Sequence, residues 1–134
     1  KGFRISLTHP FYLEEVLIKH PKLRLYVMYA GYPMIDKMLG MMYDFHPLYV
    51  GIAAIDWIFP NREEFYHYLK RLVDAGYEKR IMFGSDEMNW PKGIELSIKN
   101  VQNAPFLTES QKRDIFYNNA VRFFKLKKED VGGK

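Results

Sequence analysis

The chain has 134 residues, 48% of them hydrophobic and 27% charged, with a net charge of +4 and no cysteine. That is the size and composition of one globular domain with one core, and the missing cysteine excludes disulfides, thiolate metal sites and cysteine nucleophiles, as suits a cytoplasmic protein. No apolar run approaches the about 18 residues of a membrane span.

The opening segment, Lys1-Gly2-Phe3-Arg4-Ile5-Ser6, carries neither the apolar block nor the cleavage site of a secretory leader. It also lacks an initiator methionine, as in a chain that begins inside a longer protein. Residues 10–20 read as a helix: Pro10 suits a first turn, Leu13, Val16 and Leu17 make an apolar stripe, and Pro21 follows the end. Residues 23–29, LRLYVMY, read as a short strand. Ala30-Gly31-Tyr32 is a turn, and Pro33 opens a helix to about Phe45 whose apolar face is Met34, Met38, Leu39 and Met42. These methionines are core-filling side chains. Residues 48–55 are nearly all apolar, the pattern of a parallel strand buried on both faces.

Asn61 with Glu64 three residues on has the spacing of a capped helix start, and Gly76 marks the stop after Ala75. Phe65, Tyr68, Leu69 and Leu72 form that helix's apolar side. Residues 80–84 are the third strand, followed by a helix over 91–103. Thr108 and Gln111 make a capping box for a last helix through about Asn119, with Asn118, Asn119 and Arg122 as structural tethers. Residues 127–134, with Gly132-Gly133, read as a frayed tail on a single domain spanning 1–134.

Strands alternating with helices imply βαβ crossovers and a parallel sheet whose strand C-termini share one edge. That edge carries Tyr29-Ala30-Gly31-Tyr32, Ile55-Asp56-Trp57 and Gly84-Ser85-Asp86. Asp86 is the most informative residue, because an apolar strand delivers its carboxylate to a βα loop, where barrel enzymes keep catalytic groups. A turn former or helix cap is the equal alternative. Asp56 and Trp57 are candidates for a pocket wall, with a turn role as the equal alternative for Asp56. Trp90 is a weaker substrate contact, because Trp90-Pro91 better suits a helix entry.

The segments THPFYLEEVLIKHPKLRLYVMYAGYPM (8–34), YVGIAAIDW (49–57), EFYHYLKRLVDAGYEKRIMFGSDEMNWP (64–91) and FLTESQKRDIFYNNAVRFFKL (106–126) resemble the C-terminal part of the amidohydrolase-related family of metal-dependent hydrolases and decarboxylases. RIMFGSD and NNAVRFF are the most specific parts. The resemblance implies the last three βα units of a (β/α)8 TIM-type barrel plus a C-terminal helix. It implies a divalent metal, zinc by preference, and a small carboxylate or amide substrate in the parent enzyme. Asp86 matches the family's strand-eight aspartate, a metal ligand and acceptor of the attacking water's proton.

Tyr29 stands where the family usually has histidine, and a phenol titrating near 10 does not replace an imidazole as a base near pH 7. Gly51 stands where relatives often have aspartate. No His-x-His occurs in the chain. The resemblance therefore implies a partial barrel that is inactive and binds no metal alone. The alternative is a non-catalytic remnant serving only in assembly.

His20, His46 and His67 read as structural, and His9 less firmly so, since none lies at a strand end and no pair has ligand spacing on one helix face. Lysines and arginines are interleaved with acids, as in Glu78-Lys79-Arg80, so no nucleic-acid partner is expected. Neither GxGxxG nor GxxxxGK[ST] occurs, which sets aside a nucleotide-binding domain. Open sheet edges at 23–29 and 80–84 and an uncovered barrel-interior face predict self-association.

Overall fold

A computed structural model describes residues 4–132 of the chain. Three parallel strands form one sheet in the order β1-β2-β3: Leu25–Val27, Leu48–Gly51 and Ile81–Met82. Leu25 pairs with Leu48, Val27 with Val50, and Val50 with Ile81. The helices are α1 (Glu14–Lys19), α2 (Ile35–Asp44), α3 (Arg62–Asp74), α4 (Pro91–Gln102), α5 (Glu109–Arg113) and α6 (Asn119–Phe124). A π turn, Asp114–Asn118, joins α5 to α6. The fold is α/β, as the alternation of patterns predicts.

Side chains alternate across a strand, so Leu48, Val50 and Ile81 share the face toward the helices, and all three are wholly buried. With Met38, Met41 and Met42 of α2 and Phe65, Leu69 and Leu72 of α3 they form one apolar cluster. The methionines thus fill the core. Tyr26, Tyr49, Gly51 and Met82 share the opposite face by register. That face is partly covered: the Phe123 ring stands 6.1 Å from the Tyr26 ring and 5.1 Å from that of Tyr49.

The caps read from sequence are present. The Asn61 side chain accepts from the Glu63 backbone, and Thr108 and Gln111 close a reciprocal capping box. At the end of α2 the capping group is Arg80. Its guanidinium donates to the carbonyls of Met42 (2.8 Å), Phe45 (3.2 Å), His46 (3.3 Å) and Leu48 (3.4 Å) and lies over the Tyr77 ring. The last carbonyls of a helix have no internal partner, and a cation there also opposes the helix dipole.

Three expectations need correction. The strands are shorter than their apolar runs: β2 ends at Gly51, and residues 53–57 turn instead of continuing the strand. Residues 10–13 form a 3-10 turn before α1, and α2 starts at Ile35. The β3 edge is not open. Asn119 Nδ2 donates to the carbonyls of Ile81 (2.6 Å) and Glu78 (2.7 Å), and the Phe83 N–H donates to the Ile115 carbonyl (2.9 Å).

The π turn makes that last bond available. The Asn119 N–H reaches back five residues to the Asp114 carbonyl, which leaves the Ile115 carbonyl free for Phe83. Asn119 is wholly buried, as its tether reading requires, and Asn118 and Arg122 both donate to Asp114. Of the expected tail, Lys128–Val131 form a 3-10 turn, while residues 133 and 134 lie outside the described residues.

Candidate functional site

The C-terminal ends of all three strands come together, and their backbones are unusual there. Among the described residues, five non-glycine positions have φ in the left-handed region: Tyr29 (56°), Ala30 (49°), Ala54 (64°), Asp86 (52°) and Lys125 (54°). Lys125 ends α6, but the other four follow β1, β2 and β3. Such a conformation costs on the order of 1 kcal/mol per residue and persists only where surrounding contacts enforce it.

Those contacts are visible. The Ala30 carbonyl accepts from the Tyr68 hydroxyl of α3 at 3.0 Å, and burial holds that phenol's pKa above its ordinary value. The Ala54 N–H donates to the Ser85 carbonyl at 3.3 Å, and the Trp57 indole N–H donates to the same oxygen at 2.6 Å. The loop after β2 is thereby tied to the loop after β3.

At this edge the Tyr29 hydroxyl donates to Asp86 Oδ2 at 3.0 Å. The bond favours the neutral phenol and, with some burial and the carboxylate's charge, raises the Tyr29 pKa. Tyr29 is therefore a donor near neutral pH, and Asp86 is the acceptor. Both line a pocket of about 330 Å³ whose other walls include Tyr32, Ala54, Ile55 and Phe59. The Tyr32 and Phe59 rings are 4.8 Å apart. The geometry offers an open, largely apolar slot whose polar groups are the Asp86 carboxylate and the phenols of Tyr29 and Tyr32. Two further hollows, lined by residues 19–23 and by residues around Leu17 and His46, lie toward the N-terminal ends of the strands and gather no comparable chemistry.

Asp56, Trp57 and Trp90 are outside this lining. Asp56 is 1% exposed. Its Oδ2 accepts from the Ser97 hydroxyl, its backbone carbonyl accepts from Asn100 Nδ2 at 2.6 Å, and its Oδ1 has no partner. Burial lifts its carboxyl pKa to about 7, against the opposing pull of the Ser97 bond. Asp56 thus anchors the β2 loop on α4. Trp57 and Trp90 pack against each other at 5.9 Å, and Trp90 precedes Pro91, the first residue of α4.

Sequence reasoning placed Tyr32 on this edge but missed Ala54, Ile58 and Phe59. An aromatic residue in the loop after the second strand was the available signal for Phe59; the left-handed turn at Ala54 leaves none. His9 accepts from the Phe11 N–H and starts a 3-10 turn, while His20, His46 and His67 are exposed.

No three histidines, aspartates or glutamates converge among the described residues. Structural and catalytic zinc sites take three or four protein ligands. Asp86, with only a tyrosine beside it, does not make a metal site from this chain's residues. No helix among the described residues is long and apolar enough to cross a membrane.

A parallel α/β segment with an acidic group at a strand C-terminus has the pattern of part of a parallel α/β barrel. The amidohydrolase family model matches residues 2–126, and the chain belongs to that family. Among solved structures it is similar to 5-carboxyvanillate decarboxylase LigW from Sphingomonas paucimobilis, with a TM-score of 0.61 and 15% identity. That match covers 87% of this chain and 38% of the decarboxylase, so the chain spans well under half of that fold. No curated protein matches.

Proposed function

We propose that this chain forms one side of an amidohydrolase-type site for a small carboxylate or amide substrate, with Asp86 as its proton-accepting carboxylate and Tyr29 as the donor that orients it. The observation that carries the reading is the 3.0 Å bond between Tyr29 and Asp86, set in a largely apolar slot on the strand C-terminal edge. A carboxylate in that place takes a proton from water or from a substrate hydroxyl. The divalent metal of the family, zinc by preference, needs ligands that this chain does not offer, so the chain alone binds none tightly and does not turn over. Trp57 holds the loops after β2 and β3 together with Trp90 packed against it, and Asp56 fixes the β2 loop on α4.

Zinc calorimetry on the tag-free 134-residue protein tests this reading. It predicts no stoichiometric binding below micromolar concentrations, and a sub-micromolar site abolished by Asp86→Asn overturns it. The second reading, a non-catalytic remnant with a role in assembly, draws on the same bond, because Tyr29 occupies the carboxylate a base would need. An upstream coding sequence with an in-frame His-x-His strand favours the enzyme reading; its absence favours the remnant. Where those units are joined, Tyr29→His separates the two again: higher turnover of amide, lactone or carboxylated aromatic substrates supports the enzyme.

A further inference from the structure

Asp86 is held at φ 52°, a left-handed backbone that persists where surrounding contacts enforce it. The peptide group that joins Ser85 to Asp86 carries the Ser85 carbonyl, and two donors of the loop after β2 reach that oxygen. The Trp57 indole N–H stands at 2.6 Å and the Ala54 N–H at 3.3 Å. The usual range of an N–H···O bond ends near about 3.2 Å, so the indole makes the stronger bond. Trp57 is itself fixed. The Ala54 carbonyl accepts from the Trp57 N–H at 3.1 Å and the Ile58 N–H at 2.9 Å, which closes the turn, and the Trp57 ring packs on Trp90 at 5.9 Å.

The hold matters because φ decides where the carboxylate goes. β3 anchors the chain before this peptide, and α4, entered at Pro91, anchors the chain after it. The plane of the peptide and the φ of Asp86 therefore turn together. A carbonyl freed of its indole donor lets Asp86 relax to an ordinary right-handed φ of about −60°, a rotation of about 110° around its N–Cα bond. Asp86 Oδ2 now lies 3.0 Å from the Tyr29 hydroxyl oxygen, and a rotation of that size takes it out of hydrogen-bond reach.

We infer that Trp57 is a positioning residue of the site: its indole N–H, through the Ser85 carbonyl, holds Asp86 in the backbone conformation that aims the carboxylate at the Tyr29 hydroxyl and into the slot. Trp57 does not line the slot, so it acts through Asp86 and not on a ligand. This role rests on the Tyr29–Asp86 reading of the site and makes the aim of its carboxylate depend on one N–H.

The Tyr29 phenol is the reporter, because its pKa is raised first by its bond to Asp86, then by burial and by the carboxylate's charge. The 134-residue protein is labelled with 13Cζ-tyrosine and titrated, and Tyr29→Phe assigns the resonance. Asp86→Ala sets the full effect of losing the carboxylate, a fall in the Tyr29 pKa. Trp57→Phe keeps an apolar ring and removes the N–H. It is expected to lower the Tyr29 pKa by at least about half as much as Asp86→Ala does. It is also expected to move the one-bond Cα–Hα coupling of Asp86, which reads the sign of φ. Trp90→Phe, which trims the packed ring and spares the Ser85 bond, is expected to move neither. If Trp57→Phe does not fold, Trp57→benzothienylalanine, an indole isostere without the N–H, takes its place. A Tyr29 titration and an Asp86 coupling that stay at their wild-type values in Trp57→Phe, or that Trp90→Phe moves equally, overturn the inference while leaving the site. A Tyr29 pKa that Asp86→Ala leaves in place overturns both.

Discussion

The two sides of this sheet are finished in opposite ways. On the β3 side, backbone groups beyond the ladder meet built partners: Asn119 takes two carbonyls, the π turn offers a third to Phe83, Arg80 collects four between the end of α2 and the start of β2, and α4 holds the loop after β2 through Ser97 and Asn100. On the β1 side, no ladder partner among the described residues lies beyond Leu25–Val27, and the large side chains there are half open, Met28 at 50% and Leu23 at 39%. A strand edge is a template for pairing unless something covers it. The contrast shows that the C-terminal helices cover the β3 edge in this chain, whereas the β1 edge is left open among the described residues. That agrees with a chain covering 38% of the decarboxylase barrel it resembles.

The largest effect expected from breaking this asymmetry is pH-dependent. The folded Asp56 carboxyl has its pKa lifted from 3.8 to about 7. The folded state then holds a proton that the unfolded chain has released, so stability falls as pH rises from about 4 to about 7 and levels off above. The span is at most about 4 kcal/mol, at about 1.4 kcal/mol per pKa unit. Asp56→Asn should flatten that part of the profile, read as melting temperature against pH; an unchanged slope would mean that Asp56 is solvated in solution.

Next is Asn119→Leu, which leaves two carbonyls on the β3 side without their donor. A loss of about 3 kcal/mol in urea unfolding is expected, from 1–3 kcal/mol for each buried group left unpaired. A loss under about 1 kcal/mol would show that water replaces the amide. Arg80→Ala should cost about 2 kcal/mol by uncapping α2, and Arg80→Lys should recover only part of it, because an ammonium does not offer the planar fork. Smallest is Met28→Lys on the open side. Its stability should change by no more than about 0.5 kcal/mol, but a charge there should reduce the self-association we propose for the isolated chain. Light scattering at micromolar concentration compares the two proteins. A wild-type chain that is already monodisperse would mean that β1 needs no partner.

The legible features were those set by local chemistry. Thr108 with Gln111, Asn61, Gly76 and Pro91 mark helix ends because each satisfies or ends the backbone within a few residues. The parallel sheet was readable because Leu48, Val50 and Ile81 stand in short apolar runs between helical patterns. The end of β2 was not: Ile52 and Ile55 are as apolar as the strand before them, and a buried turn looks the same as a buried strand in such a run. Asp86 and Tyr29 were named from sequence. Their bond was not, since it joins residues 57 apart and depends on left-handed backbone at both. Tyr26 was invisible for a related reason. Its phenol occupies the space that a side chain at Gly51 would take, and an absent side chain carries meaning only once the neighbouring strand is in place.

The π turn at Asp114–Asn118 also fixes a phase. Each residue of an α-helix advances the chain by about 100° around the axis. Deleting one residue from that turn would restore an unbroken helix and return the Ile115 carbonyl to the internal ladder. It would also swing everything beyond by about 100°. The Asn119 amide would leave Ile81, and Phe123 would leave the rings of Tyr26 and Tyr49. A one-residue count in a helix more than 80 residues downstream thus governs what the first strand's inner face meets.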